Sequence, residues 1–120
     1  MPPDRERPHH PLDRFIARVK KHHTVYGLRS PDDESWAVCA SREDEDLDVV
    51  LIWSHSDFAT EHRREEWSDY IVTPISAEDF VETWLQGMHA DGSFVGPDWD
   101  LKLSGPEIPA VEMAERLSSD

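Results

Sequence analysis

The stretch LDVVLI, residues 47–52, carries the clearest information about the fold. Successive side chains of a β-strand point to opposite faces, and both alternating sets of this stretch are apolar. They are Leu47, Val49 and Leu51 on one face and Val50 and Ile52 on the other. A strand that is apolar on both faces is typical of the interior of a sheet. The sequence therefore predicts a strand that is central or covered on both faces.

Upstream of this strand, two more strands are predicted at residues 24–28 and 36–40. The polar segments RSPDDES and SREDED separate the three strands, which predicts an antiparallel meander. Before the meander, apolar residues follow the helical i, i+3, i+4, i+7 spacing and predict a helix from residue 12 to about 21. They are Leu12, Phe15, Ile16 and Val19. Residues 1–11 contain four prolines and are interpreted as a disordered arm.

Downstream of the central strand, Ser54 and Asp57 resemble a capping box and predict a helix over residues 54–66. A short strand follows at 71–73, and Ser76 with Asp79 starts a second helix, whose apolar stripe ends at Met88. The chain ends with a strand at 94–96 and a terminal helix from residue 109. The prediction is a single α+β domain over residues 12–120. It has a mainly antiparallel sheet of four or five strands, with three or four helices packed against it.

Charge and composition exclude several classes of function. The chain has 26 acidic and 12 basic side chains and a formal net charge of −14, which opposes contact with nucleic acid phosphates. It has no apolar run of transmembrane length, and its polar N-terminus lacks a signal peptide, so we expect a cytoplasmic protein without membrane contact. Cys39 is the single cysteine, so an internal disulfide is impossible.

The sequence offers no convincing catalytic or metal site. On the predicted helix, His55 and His62 are seven residues apart, about 10.5 Å along the axis, too far for both to bind one zinc ion. Cys39 lies in the apolar segment WAVCA and is interpreted as an inert buried thiol. The phosphate-binding and nucleophile motifs GxGxxG, GxxxxGKS and GxSxG are absent. We therefore predict no catalytic residues, no metal and no cofactor.

Apolar and aromatic anchors recur along the chain as VYGLR, SWAV, LIWS, EWSDY, ISAEDFVETWLQGMHADG and VGPDW. With these motifs, residues 15–117 resemble the bacterial family known as domain of unknown function 2750. The chain departs from the family pattern in two places: Ile52 stands where proline is typical, and Tyr26 where tryptophan is typical. Both changes keep apolar surface in the core. The resemblance implies an α+β fold and transfers no functional site.

Two functional hypotheses follow. The first is a non-catalytic module that binds a basic protein, as an immunity protein or antitoxin would. Its contact would be the acidic loop Glu43, Asp44, Glu45 and Asp46, at the opposite end of the meander from the acidic residues 32–34. The alternative is a small-ligand-binding protein or enzyme with an aromatic pocket. The candidate pocket walls are Trp36, Trp53 and Trp84. The oligomeric state stays open.

Overall fold

The described part of the chain begins with a helix that packs into one of two apolar clusters. The computed structural model describes residues 11–32, 35–42, 44–103 and 105–118, so residues 1–10 of the predicted arm lie outside the described residues. Helix α1 (Pro11–His22) starts at a proline, which fits the first turn of a helix because its missing N–H would have no partner there. Its buried side chains, Leu12, Phe15 and Val19, lie on the predicted face.

The strands form two sheets. A two-stranded sheet pairs β1 (Thr24–Arg29) with β4 (Ile71–Ser76) in antiparallel register. A four-stranded sheet has the order β2, β3, β5, β6. Its members are β2 (Val38–Ala40), β3 (Asp48–Ile52), β5 (Phe94–Pro97) and β6 (Ile108–Pro109). The α+β class is confirmed, and the prediction of one sheet is not.

Strand β3 is the central strand that its two apolar faces predicted. It pairs with β2 in antiparallel register and with β5 in parallel register, so Ile52 lies opposite Pro97. The parallel pair departs from the predicted mainly antiparallel sheet. It arises because the chain between β3 and β5 crosses over through helices and β4 before it returns, and a crossover of this kind brings a strand back in the same direction.

The predicted three-stranded meander is only partly formed. Strand β1 pairs along its whole length with β4, where Thr24 lies opposite Ser76, and this register satisfies more backbone groups than the short strand β2 offers. Contact between β1 and the second sheet consists of two isolated bridges, Tyr26 with Trp53 and Arg29 with Trp36. Two hydrogen bonds of 2.8 Å join the backbones of Tyr26 and Trp53. The two sheets therefore meet at the point where β3 ends.

Helix α2 (Ser56–Glu61) is much shorter than the predicted 54–66 helix. The N-cap is His55, whose Nδ1 accepts a hydrogen bond of 3.0 Å from the Asp57 N–H. Ser54 is engaged with Asp98 instead, so the predicted capping box is wrong. After α2, Glu65 has a left-handed φ of 55° and begins a 3-10 turn, Glu65–Trp67. A continuous α-helix cannot include such a residue.

The second predicted helix is present and is longer than expected. It consists of α3 (Ala77–Asp79), a π-helical turn (Phe80–Trp84) and α4 (Leu85–Asp91). Ser76 caps it as predicted, because its Oγ accepts from the Asp79 N–H at 3.1 Å. Gly92 ends it with a φ of 77°, a left-handed conformation that costs glycine little. Helix α5 (Ala110–Ser118) closes the described chain.

The core has two apolar clusters, one on each side of the β3 strand. The first contains Phe15 of α1, Ile52 and Phe80 and extends to Met113 of α5. The second is centred on the fully buried Trp53. Within the part of the chain that the structure describes, no helix combines the length and the apolar character that crossing a bilayer requires.

Candidate functional site

The largest of the described cavities is an open cleft of about 690 Å³. Three parts of the fold line it: helix α1, helix α2 with its C-cap His62, and the chain that follows β5. We call residues 98–103 the wall segment. The cleft therefore lies where the second apolar cluster meets the surface, between two helices and a loop.

Asp98 lies at the base of the wall segment and is the most constrained residue of the cleft. It follows Pro97, and its φ of 49° is in the left-handed region that aspartate tolerates better than most residues. Its N–H donates to the Ile52 carbonyl at 2.8 Å. Its carboxylate accepts two hydrogen bonds of 2.7 Å, from the Ser54 N–H and from the Ser54 hydroxyl. Asp98 thus fastens the wall segment to the end of β3.

Burial raises the pKa of the Asp98 carboxyl above its ordinary value of 3.8. The two hydrogen bonds from Ser54 and the positive charges of Arg18 and Arg14 lower the pKa, but they do not cancel the effect of burial. The side chain is only 11% exposed, and one Arg18 guanidinium nitrogen lies 3.8 Å from it. A carboxyl with a raised pKa inside a cleft is a recognised indicator of a functional site.

Three cationic side chains reach the cleft from two sides. Arg14 and Arg18 lie one turn apart on α1, and Lys102 belongs to the wall segment. The Arg18 guanidinium carbon is 5.0 Å from the centre of the Phe58 ring, within the range of a cation–π contact. Two arginines at i, i+4 repel each other, which weakly destabilises the helix unless negative charge lies nearby. Asp98 supplies part of that negative charge.

Two tryptophans support the cleft from below. The indole N–H of Trp53 donates to the Trp99 carbonyl at 3.2 Å, and that of Trp99 donates to the Pro106 carbonyl at 2.7 Å. The Trp99 ring packs so closely on Gly96 and Gly105 that a Cβ at either position would lie under 3.0 Å from it. Both glycines are therefore required for the ring to pack in this position.

His62 is 4% exposed and forms part of the cleft floor. Its Nδ1 lies 2.7 Å from the Phe58 carbonyl oxygen, and its Nε2 lies 2.9 Å from the Asp100 carbonyl oxygen. Its ring stacks against Trp53 with 4.6 Å between ring centres. His62 therefore connects α2 to the wall segment, whereas His55, at the other end of α2, is exposed.

The three tryptophans named as pocket walls lie in two places. Trp36 and Trp84 contact each other edge to face, with ring centres 4.5 Å apart, and pack on the first apolar cluster. Trp53 belongs to the second cluster and is the one of the three that lines the cleft. An aromatic pocket formed by all three stays a prediction. The aromatic residues that line the cleft described above are Trp53, Phe58 and Trp99.

The predicted acidic loop is exposed where the structure describes it. Asp44, Glu45 and Asp46 are exposed, and Glu43 lies outside the described residues. The Asp44 carboxylate accepts from the Asp46 N–H at 3.0 Å, which makes a tight turn. At its start, Glu107 accepts from the Ser41 hydroxyl at 2.6 Å and from the Arg42 N–H at 2.9 Å. Its role in binding stays a prediction.

Metal binding and thiol chemistry receive no support from the described geometry. No group of three His, Cys, Asp or Glu side chains among the described residues could hold a metal ion. Cys39 is half-buried, and burial together with the negative charge of Glu66 raises the pKa of its thiol. A raised thiol pKa lowers the reactive thiolate fraction at neutral pH.

Sequence reasoning did not select Asp98, Ser54, Arg14 or Arg18 as site residues. Arg14 and Arg18 were visible as part of a short basic run, and Asp98 lies within the VGPDW motif. An aspartate directly after a strand and a proline is a signal for a turn with special backbone geometry. Nothing in the sequence pairs it with Ser54, because the two residues are distant in the chain and only the parallel β3–β5 pair joins them.

Comparison with known proteins gives a family and no function. A family model described as "Protein of unknown function (DUF2750)" matches residues 12–117, nearly the whole chain. No curated protein and no solved structure matches it.

Proposed function

The chain belongs to the DUF2750 family, and from the geometry of the cleft we propose that it binds a small anionic molecule there without converting it. The observation that carries this proposal is that three cations, Arg14, Arg18 and Lys102, line one cleft of a chain with a net charge of −14. The carboxylates Glu61, Asp98 and Asp100 line the same cleft, and that of Asp98 is already engaged by Ser54. Guanidinium groups suit carboxylates and phosphates, because their donors form a fixed fork that matches two acceptor oxygens.

The remaining lining supports a ligand that also has an apolar part. Phe58 and Trp99 provide ring faces beside the cations, and the cavity volume lies within the range typical of small-molecule sites. Ser54 is 3% exposed and its hydroxyl donates to Asp98, so it serves the cleft as a fixed support and not as a nucleophile. Binding without catalysis fits these roles.

The test is a thermal-shift screen of anions with apolar groups, with phenyl phosphate as the reference probe, followed by calorimetry. A ligand at a hundred times its dissociation constant adds about 2.7 kcal/mol to the free energy of unfolding. We expect Arg18→Gln to weaken binding by about tenfold or more, the loss of one charge-assisted hydrogen bond. Lys21→Gln is the matched control, since Lys21 is an exposed cation of the same helix outside the cleft lining.

The proposal fails if none of the anions, phenyl phosphate included, shifts the unfolding temperature at millimolar concentration. It also fails if the variants at Arg18 and Lys21 weaken binding equally, because this result would indicate a general charge effect.

A second function that we propose is the binding of a basic protein by the acidic loop, and the hydrogen bonds of its described residues support it. Glu107 and Asp44 hold its backbone, so the exposed carboxylates of Asp44, Glu45 and Asp46 are presented at little entropic cost. Affinity purification from the native host tests it. If a basic partner is recovered, replacing the loop carboxylates, Glu43 included, with Ser or Asn should slow association at low salt and much less at about 0.5 M salt. An unchanged association rate at low salt removes the loop from the interface.

A further inference from the structure

The two polar contacts of the His62 ring bear on its protonation state. Both ring nitrogens face carbonyl oxygens, at 2.7 Å from Phe58 and 2.9 Å from Asp100, and a carbonyl oxygen can only accept. A neutral imidazole has one N–H and one bare nitrogen, so one of the two contacts would set lone pair against lone pair. Only the doubly protonated ring donates to both oxygens.

The surroundings of His62 favour a positive charge at this position. His62 is the C-cap of α2, where unpaired carbonyls give the end of a helix a partial negative charge, and the Phe58 carbonyl is one of them. The Trp53 ring lies 4.6 Å away, centre to centre, with 39° between the two ring planes, and an aromatic neighbour within about 6 Å can attract a cation. Burial at 4% exposure would penalise the charge if these partners were absent.

We propose that His62 is an imidazolium that donates to both carbonyls and thereby holds the wall segment against α2. When the ring loses one proton, the shorter contact, from Nδ1 to Phe58, keeps its N–H, and the hydrogen bond from Nε2 to Asp100 is the one that is lost. The wall segment then loses this link to α2, and the cleft loses a positive charge from its floor. The expected effect of this proton on ligand affinity rests on the proposed function. The role of His62 in holding the wall segment does not depend on the proposed function.

Other charged groups around His62 also affect whether its ring holds the second proton. Within the cleft these groups are the carboxylates Glu61, Asp98 and Asp100 and the cations Arg14, Arg18 and Lys102. On the other side, a cavity of about 70 Å³ is lined by Arg64, Glu65 and Glu66 as well as His62. Carboxylates belong to both linings and favour a cation at His62, while the arginines and Lys102 of the same linings oppose it.

The first test is nitrogen NMR of the histidine rings in the ligand-free full chain, titrated from about pH 5 to 9. We expect both His62 nitrogens to show the signature of protonated nitrogen at neutral pH. A single protonated nitrogen on His62 at neutral pH would overturn the proposal. Because this measurement uses the unmodified protein, it is independent of how well any variant folds.

The second test measures the wall segment directly by amide hydrogen exchange. A glutamine at position 62 can donate through one nitrogen only, so His62→Gln should speed exchange of the wall-segment amides by about tenfold or more, the factor that one charge-assisted hydrogen bond represents. His55→Gln, at the other end of α2, should leave them unchanged. Equal effects of the two variants would refute the connection between His62 and the wall.

The same variants separate this inference from the proposed function. If the ring is doubly protonated and His62→Gln loosens the wall, yet phenyl phosphate does not bind the wild type, the anion site is wrong and the role of His62 stands. If phenyl phosphate binds His62→Gln and the wild type equally, the proposed effect of the proton on the cleft is wrong while the anion site stands.

Discussion

Replacing Asp98 tests whether its carboxylate fastens the wall segment to β3. In Asp98→Ala, the N–H and the hydroxyl of Ser54 lose their acceptor. Ser54 is only 3% exposed, so water cannot easily replace the lost carboxylate. A buried donor without a partner costs about 1–3 kcal/mol. Alanine also tolerates the left-handed φ of 49° poorly, at about 1–2 kcal/mol. We expect Asp98→Ala to lower the free energy of unfolding by about 2–5 kcal/mol, a large part of the stability of a small domain.

Asparagine is the matched control because it keeps the shape and the tolerance for a left-handed backbone. Its amide oxygen can accept from the Ser54 N–H, and its amide nitrogen can donate to the Ser54 hydroxyl, which accepts as well as donates. We therefore expect Asp98→Asn to stay within about 1 kcal/mol of the wild type at neutral pH. Urea unfolding monitored by tryptophan fluorescence measures both variants.

The pH dependence of the same experiment has a defined sign. Burial raises the pKa of Asp98 in the folded state above 3.8, so between this value and the folded-state pKa the folded protein binds more protons than the unfolded chain. The stabilisation from the protonated carboxyl is present at low pH and is lost as the pH rises through the folded-state pKa. Relative to Asp98→Asn, the wild type should therefore lose stability as the pH rises through this window.

Two results would refute this reasoning. Asp98→Ala with a stability within about 0.5 kcal/mol of the wild type would mean that the carboxylate does not hold the wall segment. A wild type that gains stability over Asp98→Asn with rising pH would mean that the arginines outweigh the effect of burial.

The remaining predictions concern packing, the thiol and metal. Gly96→Ala should destabilise the fold by about 1–3 kcal/mol in urea unfolding, since its Cβ would lie 2.8 Å from the Trp99 ring. Gly87→Ala, with no atom within 4 Å, should stabilise it by about 0.5–1 kcal/mol. Alkylation of Cys39 by iodoacetamide at neutral pH should be slower than that of free cysteine, and an equal rate would contradict the raised pKa of its thiol. Elemental analysis of untagged protein should find no stoichiometric zinc, because His55 and His62 cannot chelate one ion; one equivalent that resists a mild chelator would show otherwise.

Much of the fold was predictable because its signals are local. The apolar faces of β3, the spacing of α1 and the cap at Ser76 are each set by residues near one another in the chain, and all three are present in the structure. The pairing of strands is not a local property. Nothing in residues 24–29 distinguishes β4 from β2 as a partner, so the predicted meander followed sequence order and is only partly formed.

The cleft could not be predicted from the sequence either, because its residues are brought together by the pairing of distant strands. A capping box at Ser54 and Asp57 satisfies local rules, but the hydroxyl of Ser54 serves Asp98, a partner that only the parallel β3–β5 pair brings within reach. This hydrogen bond leaves Ser54 outside α2, which starts at Ser56, and joins the base of the cleft to the end of β3. A place where a local rule fails is therefore a useful marker of a site, as Ser54 illustrates here.

The parallel pairing of β3 with β5 also has a consequence for how the chain acquires its structure. Strand β3 cannot complete its pairing with β5 until residue 97 is available, and β1 cannot complete its pairing with β4 until residue 76 is available. Both sheets therefore depend on contacts between distant parts of the chain, which slow folding because a long loop must close before any pairing energy is gained. During synthesis, the apolar faces of β3 stay without their final cover while the next half of the domain is made. The excess of carboxylates over basic groups makes newly made chains repel one another, and this repulsion acts before the chain has folded.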